Sequence, residues 1–350
     1  MPAPRLFSED LEQILDRTRD CWEQFRGGRM FLTGGTGFFG VWLLESLLWA
    51  NDRLGLNAQV VLLTRDPARF ASRLPHLANQ GAVTTLAGSL ADFEFPSGAF
   101  THFVHAAVEA SRKIACETPL RMVDSIVDGT RRVLDLASRS ASPKFLFTSS
   151  GAVYGPQPAH LERIPEDYEG WANSLHPGAS YGLAKRMAEH LCVLYYRHHC
   201  VEATIARAFA FVGPHLPLDQ HFAIGNFLRD ALEGRPIEVL GDGTTVRSYL
   251  YAADLAVWLW TILFRGNPGT AYNVGSESGI AISDVANLIA KRFHPARSVS
   301  FRQEQVTTRP PDRYVPATFK GRTQFGLTAY TDLEVALDLT VRWSQNQSRT

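Results

Sequence analysis

Tyr181 and Lys185 stand four residues apart, and no other tyrosine of the chain has a lysine at that spacing. With ten tyrosines, and lysine only at positions 113, 144, 185, 291 and 320, such a pair is rare by chance. On a helix, residues i and i+4 share a face, so phenol and ammonium project into one site. A nearby cation favours the phenolate, so Lys185 is expected to lower the pKa of Tyr181. A tyrosine tuned towards neutral pH can take a proton from a hydroxyl as hydride leaves, or return one in reduction. Upstream, Phe147-Thr148-Ser149-Ser150-Gly151-Ala152 ends a predicted strand, and Ser150 there can hydrogen-bond and orient the same substrate oxygen. The bland reading of Tyr181 is a half-buried helix residue.

A second constellation lies near the start. Thr33-Gly34-Gly35-Thr36-Gly37-Phe38-Phe39-Gly40 follows a short apolar segment, Arg29–Thr33, and opens a helical stretch. Glycines in that context permit a tight turn and let a pyrophosphate approach the backbone, facing the free N–H groups of the helix start. Dinucleotide binding is expected at Gly34, Thr36, Gly37, Phe38, Phe39 and Gly40; a β–α turn with no ligand is the alternative. At the end of the next strand a carboxylate would bind the ribose hydroxyls of NAD. Thr64 holds that place and Arg65 follows, which suits a 2′-phosphate, so NADP is favoured over NAD. Arg65 paired with Asp66 is the bland reading. Ser89 and Leu90, in Gly88-Ser89-Leu90-Ala91-Asp92, are expected at the adenine edge.

These residues need a frame. Glu9 to Phe25 carries apolar residues at helical spacing with Ser8 available as N-cap, which predicts a short amphipathic helix on the outside of the main domain. Predicted strands over 59–63, 83–86, 102–105, 144–149 and 202–206 alternate with helical stretches over 38–50, 119–138 and 181–199. Such alternation indicates an α/β fold, a Rossmann-like doubly wound parallel sheet. After Ala208 the pieces shorten, which fits a smaller C-terminal lobe. The expected organisation is an N-terminal helix (1–28), a dinucleotide-binding domain (29–207, with a returning segment at about 240–275) and a substrate lobe (208–239 and 276–343).

Composition narrows the class. In 350 residues, 45% are hydrophobic and 20% charged, enough for a large core and no case for global disorder. Basic and acidic side chains number 35 each, so a bulk polyanion partner such as nucleic acid is not expected. Cys21, Cys116, Cys192 and Cys200 form no CxxC pair and no histidine cluster stands beside them, so neither a zinc site nor a disulfide framework is expected. Acidic Glu9, Asp10 and Glu12 argue against a secretory signal, and the apolar runs near 38–50 and 252–264 fall short of a bilayer span. A cytoplasmic enzyme that binds no membrane is the expectation.

Taken in order, the motifs resemble the extended short-chain dehydrogenase/reductases, the nucleotide-sugar epimerase/dehydratase group. The resemblance runs from Arg29 to about Trp343. It includes the glycine turn, His105-Ala106-Ala107, Gly129-Thr130, the Ser150/Tyr181/Lys185 set, Arg207 and Val212-Gly213-Pro214. It continues through Gly241-Asp242-Gly243, Arg247, Asp254, Tyr272-Asn273-Val274-Gly275 and Arg309-Pro310-Pro311-Asp312. The resemblance implies that His105, Ala106, Ala107, Tyr181 and Lys185 contact the cofactor. It also implies a nucleoside-diphosphate sugar in the C-terminal lobe, with Arg247 and Arg309 on the diphosphate, a role suited to guanidinium forks, and Asn226 at the phosphates. A homodimer is implied through the Tyr181–His199 helix and the helix before the fifth strand.

Departures from the family pattern narrow the reaction. Resembling 4,6-dehydratases carry Asp-Glu directly after the catalytic hydroxyl residue, and related decarboxylases a Glu at the second position; here the two are Gly151 and Ala152. Neither can act as acid or base, which leaves hydride transfer with Tyr181. The helix before the fifth strand has Ile126 where an Asn is usual, and Ala210 replaces another, so the sugar cannot be carried over. Glu109 and His176 fall in segments that border the site and are candidates for an extra acid/base or substrate contact. The leading expectation is a 4-ketoreductase or 4-epimerase of nucleotide sugars. The alternatives are a dehydratase-like enzyme, a reductase of a non-nucleotide carbonyl compound, and a non-catalytic dinucleotide sensor.

Overall fold

A computed structural model describes residues 3–107, 117–170, 173–219, 222–303 and 310–347. Seven strands form its central sheet: β1 (Arg29–Thr33), β2 (Gln59–Thr64), β3 (Val83–Ala87), β4 (His102–His105), β5 (Lys144–Ser150), β6 (Glu202–Ala208) and β7 (Ala271–Val274). All pair in parallel, in the order β7-β6-β5-β4-β1-β2-β3. The chain direction across the sheet reverses between β1 and β4. In a doubly wound sheet a crevice opens there, beyond the carboxyl ends of the strands.

Helices cover both faces, so the central strands are apolar nearly throughout. One face of the sheet, with Leu32, Leu62, Val104 and Leu146, packs on the Phe38–Leu54 and Ala252–Arg265 helices. The other, with Phe31, Phe103, Phe145 and Phe147, packs on the Pro119–Ala137 and Ser180–His199 helices. The Ala252–Arg265 helix is buried on all sides apart from its last residue, as its continuous apolar run requires. Its indoles stay bonded: Trp260 donates to Ser46 Oγ (2.8 Å) and Trp258 to the Thr328 carbonyl (3.1 Å). Among the described residues no helix is long and apolar enough to cross a membrane.

The N-terminal segment differs from expectation in three ways. The α-helix spans Ser8–Thr18 and gives way to a 3-10 helix over Arg19–Phe25. Thr18 breaks the helical dihedrals, and its hydroxyl bonds the Ile14 carbonyl (2.6 Å) while accepting the Trp22 indole N–H (2.9 Å). Ser8 is the first helical residue, not the cap; Phe7 precedes it without a side-chain cap bond. The segment is also no outer appendage. Ile14, Trp22 and Phe25 are fully buried, and the buried Asp10 accepts the Tyr251 hydroxyl at 2.6 Å.

Beyond the main sheet, three short strands form a second one, with Val246–Arg247 between Ile280–Ala281 and Arg313–Tyr314. Its register sets Arg247 level with Tyr314. Tyr314 thereby reaches the carboxyl end of β5, its hydroxyl 3.5 Å from Ser150 Oγ.

Candidate active site

The glycine turn sits where β1 and β4 part. Register sets Thr33 level with His105, so the Gly34 turn meets Ala106 and Ala107 as both strands end. Gly34 has φ +76°, and a Cβ there would stand 2.5 Å from the Ala106 carbonyl carbon. No side chain fits that approach. Gly40 faces the same turn from the first helical turn, where a Cβ would meet the Gly34 carbonyl oxygen at 2.2 Å.

A cavity of about 840 Å³ opens at these strand ends, large enough for a dinucleotide. Gly34, Thr36, Gly37, Ala106 and Ala107 line it at the turn. Thr64, Arg65, Ser89 and Leu90 line it farther out, Ser89 being held by Asp92 through its hydroxyl (2.6 Å) and amide (3.1 Å). The bare glycine cradle and the basic outer wall fit a phosphorylated dinucleotide.

Six expected cofactor residues, Phe38, Phe39, Gly40, His105, Tyr181 and Lys185, do not line this cavity. Phe38 and Phe39 pack on each other (5.7 Å between ring centroids), and Phe39 meets Phe211 edge-on at 5.1 Å. Gly40 serves the turn. His105 stands behind the wall, bonded to Thr33 Oγ1 (2.7 Å) and Thr130 Oγ1 (3.1 Å). Burial, with Lys185 adding repulsion, brings its pKa down to about 3. It is a neutral clamp between β1, β4 and the Pro119–Ala137 helix.

Three arginines of the cavity were not singled out by sequence: Arg69, Arg73 and Arg121. Arg65, Arg69 and Arg73 repeat every four residues, a charge pattern visible in the sequence. The Asp66 carboxylate caps the Pro67–Arg73 helix by accepting the Arg69 amide at 2.8 Å.

Ser150 ends β5, and its Oγ accepts the Ala152 amide at 3.2 Å. Tyr181 and Lys185 ride on the Ser180–His199 helix, packed on that face of the sheet. Lys185 is buried and donates to the Thr148 carbonyl at 2.7 Å, with its ammonium 4.5 Å from the Phe147 ring centre. Burial brings its pKa down to about 7 against the pull of Glu189. The expected lowering of the Tyr181 pKa is not found. Burial raises it and outweighs a hydrogen bond to Ser150, while Lys185 spends its proton on Thr148.

Behind the triad runs a network. Glu189 accepts Ser149 Oγ (2.6 Å) and the guanidinium of Arg207 (2.7 Å), and Arg207 also donates to the Tyr154 hydroxyl (2.8 Å). Tyr154 in turn donates to Asn273 Oδ1 (2.8 Å). Helix, β5, β6 and β7 are thereby held in one register. Arg207 and Asn273 are structural here.

In the lobe, Arg247 is half-buried with no carboxylate within ion-pair distance among the described residues; it bonds the Val246 carbonyl and lies 5.5 Å from the Tyr314 ring centre. Asn226 is half-buried on the Ala223–Leu232 helix. Glu109 and Arg309 lie outside the described residues. His176 is no acid/base: it is exposed, and its Nδ1 caps a 3-10 turn by accepting the Gly178 amide at 3.1 Å. No group of three or more potential metal ligands occurs among the described residues. Sequence reading missed Tyr314, whose hydroxyl lies 3.5 Å from Ser150 Oγ. No local signal marks it, since it arrives from 164 residues away.

A family model described as the NAD dependent epimerase/dehydratase family matches residues 30–275. Similar curated proteins include UDP-glucuronic acid decarboxylase 2 of Arabidopsis thaliana, 27% identical over 325 residues, spanning 91% of this chain and 68% of that protein. UDP-glucuronic acid decarboxylase 1 of Xenopus tropicalis is 29% identical over 323 residues, 91% of this chain and 72% of that one. Among solved structures, UDP-glucose 4-epimerase of Thermotoga maritima superposes with a TM-score of 0.76 at 20% identity, over 91% of this chain and 99% of the other. An epimerase of Methanothermobacter thermautotrophicus does so with a TM-score of 0.79 at 20% identity, over 96% of each. At these identities the two structures speak to the fold.

Proposed function

The chain belongs to the NAD dependent epimerase/dehydratase family, and we propose that it is a nucleoside-diphosphate-sugar oxidoreductase working at carbon 4, as a 4-ketoreductase or a 4-epimerase. The observation that carries this is the set at the end of β5. Ser150 lies within interaction range of Tyr181, Lys185 is pinned to the same strand, and Gly151 and Ala152 follow with no acid or base to offer.

A bound nicotinamide cofactor would supply the hydride acceptor or donor. In oxidation, Ser150 orients the 4-hydroxyl and Tyr181 takes its proton as the C4 hydrogen departs as hydride, leaving a ketone. Reduction reverses both transfers. Lys185 holds the strand end in place through its bond to the Thr148 carbonyl. In the lobe, Arg247 offers an unpaired guanidinium for the diphosphate, with Arg309 and Asn226 assigned there by family pattern.

We assign the cofactor preference to NADP. Thr64 offers no carboxylate to the ribose, and Arg65, Arg69 and Arg73 line that end of the cavity. A homodimer belongs to the same proposal. Leu120, Met187 and Leu194 are exposed (78%, 41% and 36%) on the Pro119–Ala137 and Ser180–His199 helices, a patch that a second copy would cover.

Turnover tests the reading. The purified chain is given NADPH with 4-keto nucleotide sugars, and NAD or NADP with UDP-glucose and UDP-glucuronic acid. NADPH oxidation with a 4-keto substrate, or interconversion of 4-epimers, is expected. Carbon dioxide released from UDP-glucuronic acid, or no turnover of any nucleotide sugar, would overturn it.

A further inference from the structure

Ser150 stands between two phenols. Tyr181 interacts with it from the helix, and Tyr314 reaches it from the small sheet of the C-terminal lobe at 3.5 Å. The Tyr314 hydroxyl is equally far, 3.5 Å, from the carbonyl oxygen of Ala208. It has one proton and two acceptors for it.

The position is built. Tyr314 stacks on Phe209 with ring centroids 4.6 Å apart, and the Arg247 guanidinium lies near its other side. A Cβ on Gly151 would stand 2.7 Å from the Tyr314 hydroxyl and 2.7 Å from the Phe209 ring. Position 151 is therefore small because Tyr314 and Phe209 fill its space. Burial keeps the Tyr314 phenol protonated, raising its pKa despite the nearby Arg247.

Proton counting then fixes what it does. Ser150 Oγ has one proton and two lone pairs, and the Ala152 amide takes one lone pair. While Tyr181 is neutral it can donate to the second lone pair, Ser150 donates to Tyr314, and Tyr314 donates to the Ala208 carbonyl. When Tyr181 is a phenolate it can only accept. Ser150 must then turn its proton to Tyr181, and Tyr314 can fill the vacated lone pair by turning its own proton to Ser150. Apart from the Tyr181 proton itself no proton leaves its oxygen; two hydroxyls, those of Ser150 and Tyr314, rotate.

We propose that Tyr314 is a positioning residue of the reaction centre, one that turns the Ser150 hydroxyl towards Tyr181 whenever Tyr181 carries negative charge. This deepens the proposed function and rests on Tyr181 as its acid/base. A donor chain ending on an anion strengthens each bond along it, so Tyr314 stabilises the phenolate through Ser150.

Tyrosine labelled with ¹³C at Cζ reports the test by NMR, the Tyr181 signal being assigned by its loss in Tyr181→Phe. Titrations are run on the full chain, free and saturated with NADP, for the wild type, Tyr314→Phe and Gly151→Ala. Loss of the Tyr314 hydroxyl is expected to move Tyr181 ionisation up by about one pH unit. Gly151→Ala, which crowds that hydroxyl, is expected to move it in the same direction. Where turnover is measured, the acid limb of kcat for alcohol oxidation rises by the same amount while KM holds. A purely structural role would move stability and leave the ionisation alone. Tyr181 ionising at the same pH or lower in both variants overturns the proposal, as does a wild-type Tyr181 that, in the chain saturated with NADP, stays neutral up to about pH 10.5. Failure to bind NADP, by contrast, counts against the proposed function and not against Tyr314.

Discussion

The ammonium of Lys185 donates to the backbone carbonyl of Thr148 at 2.7 Å, tying the helix that carries Tyr181 to the strand that ends in Ser150. That single bond spans two elements and sets the spacing of the two hydroxyls. It also makes Lys185 a poor partner for the Tyr181 phenol in the cofactor-free chain, where burial governs both pKa values.

Tyr181→Phe removes the proton carrier and leaves the ring. Turnover is expected to fall by about 10² to 10⁴-fold, with cofactor affinity unchanged. Steady-state rates beside a cofactor titration check this. A variant with undiminished kcat would remove Tyr181 from the chemistry.

Lys185→Met cuts the tether to Thr148. Burying an apolar chain in place of an ammonium removes a desolvation cost, so the melting temperature is expected to hold or rise while kcat drops at least tenfold. Calorimetry on the same sample as the rate assay separates the two effects.

Arg69→Ala removes a guanidinium from the outer wall of the cavity without disturbing the Asp66 cap, which uses the backbone amide. The Kd for NADPH is expected to rise about tenfold, as for one lost charge-assisted contact, and that for NADH to stay put. Equal losses for both cofactors would place the 2′-phosphate elsewhere.

Gly34→Ala puts a Cβ 2.5 Å from the Ala106 carbonyl carbon at a residue with φ +76°. Loss of about 1–3 kcal/mol in unfolding free energy and loss of cofactor binding are expected together, read by denaturant melts and fluorescence titration.

Buried titratable groups make stability depend on pH in two opposed ways. Burial raises Asp10 and Asp254 to about 6, so each holds its proton more tightly folded than unfolded. Their stabilising contribution is full below about pH 4 and is lost as pH rises through 6. Burial lowers His102 to about 4 and His105 and His215 to about 3. Their contribution is full above about pH 6.5 and is lost as pH falls towards 3. Asp10→Asn should therefore flatten only the first trend: against the wild type, its relative stability rises between pH 4 and 6. Urea midpoints across that range decide it.

Local pattern was enough for much of this. Apolar stretches punctuated by glycine marked β1 to β6 and the long helices, because strand and helix periods differ and the chain alternates them. Composition at single positions was enough to point to Ser150, Tyr181, Lys185 and the glycine turn, since each motif is contiguous or one helical turn apart. Where reading failed, a distant partner was responsible. Phe38 and Phe39 follow the turn in sequence, yet Phe211 draws Phe39 into packing. His105 belongs to a motif, yet Thr33 and Thr130 enclose it behind the wall.

The sequence by itself determined the sheet, the cofactor turn and the identity of the hydroxyl and ammonium groups that can move a proton. These depend on short-range periodicity and on backbone freedom at glycine. Tertiary structure alone decided what those groups feel. The direction of the Tyr181 pKa follows from burial, the hand-off of Lys185 to Thr148 from the register of helix on strand, and the approach of Tyr314 to Ser150 from a lobe strand 164 residues away. Electrostatics and hydrogen bonding act over a few ångströms in space, whatever the separation along the chain, and only the folded chain sets those distances.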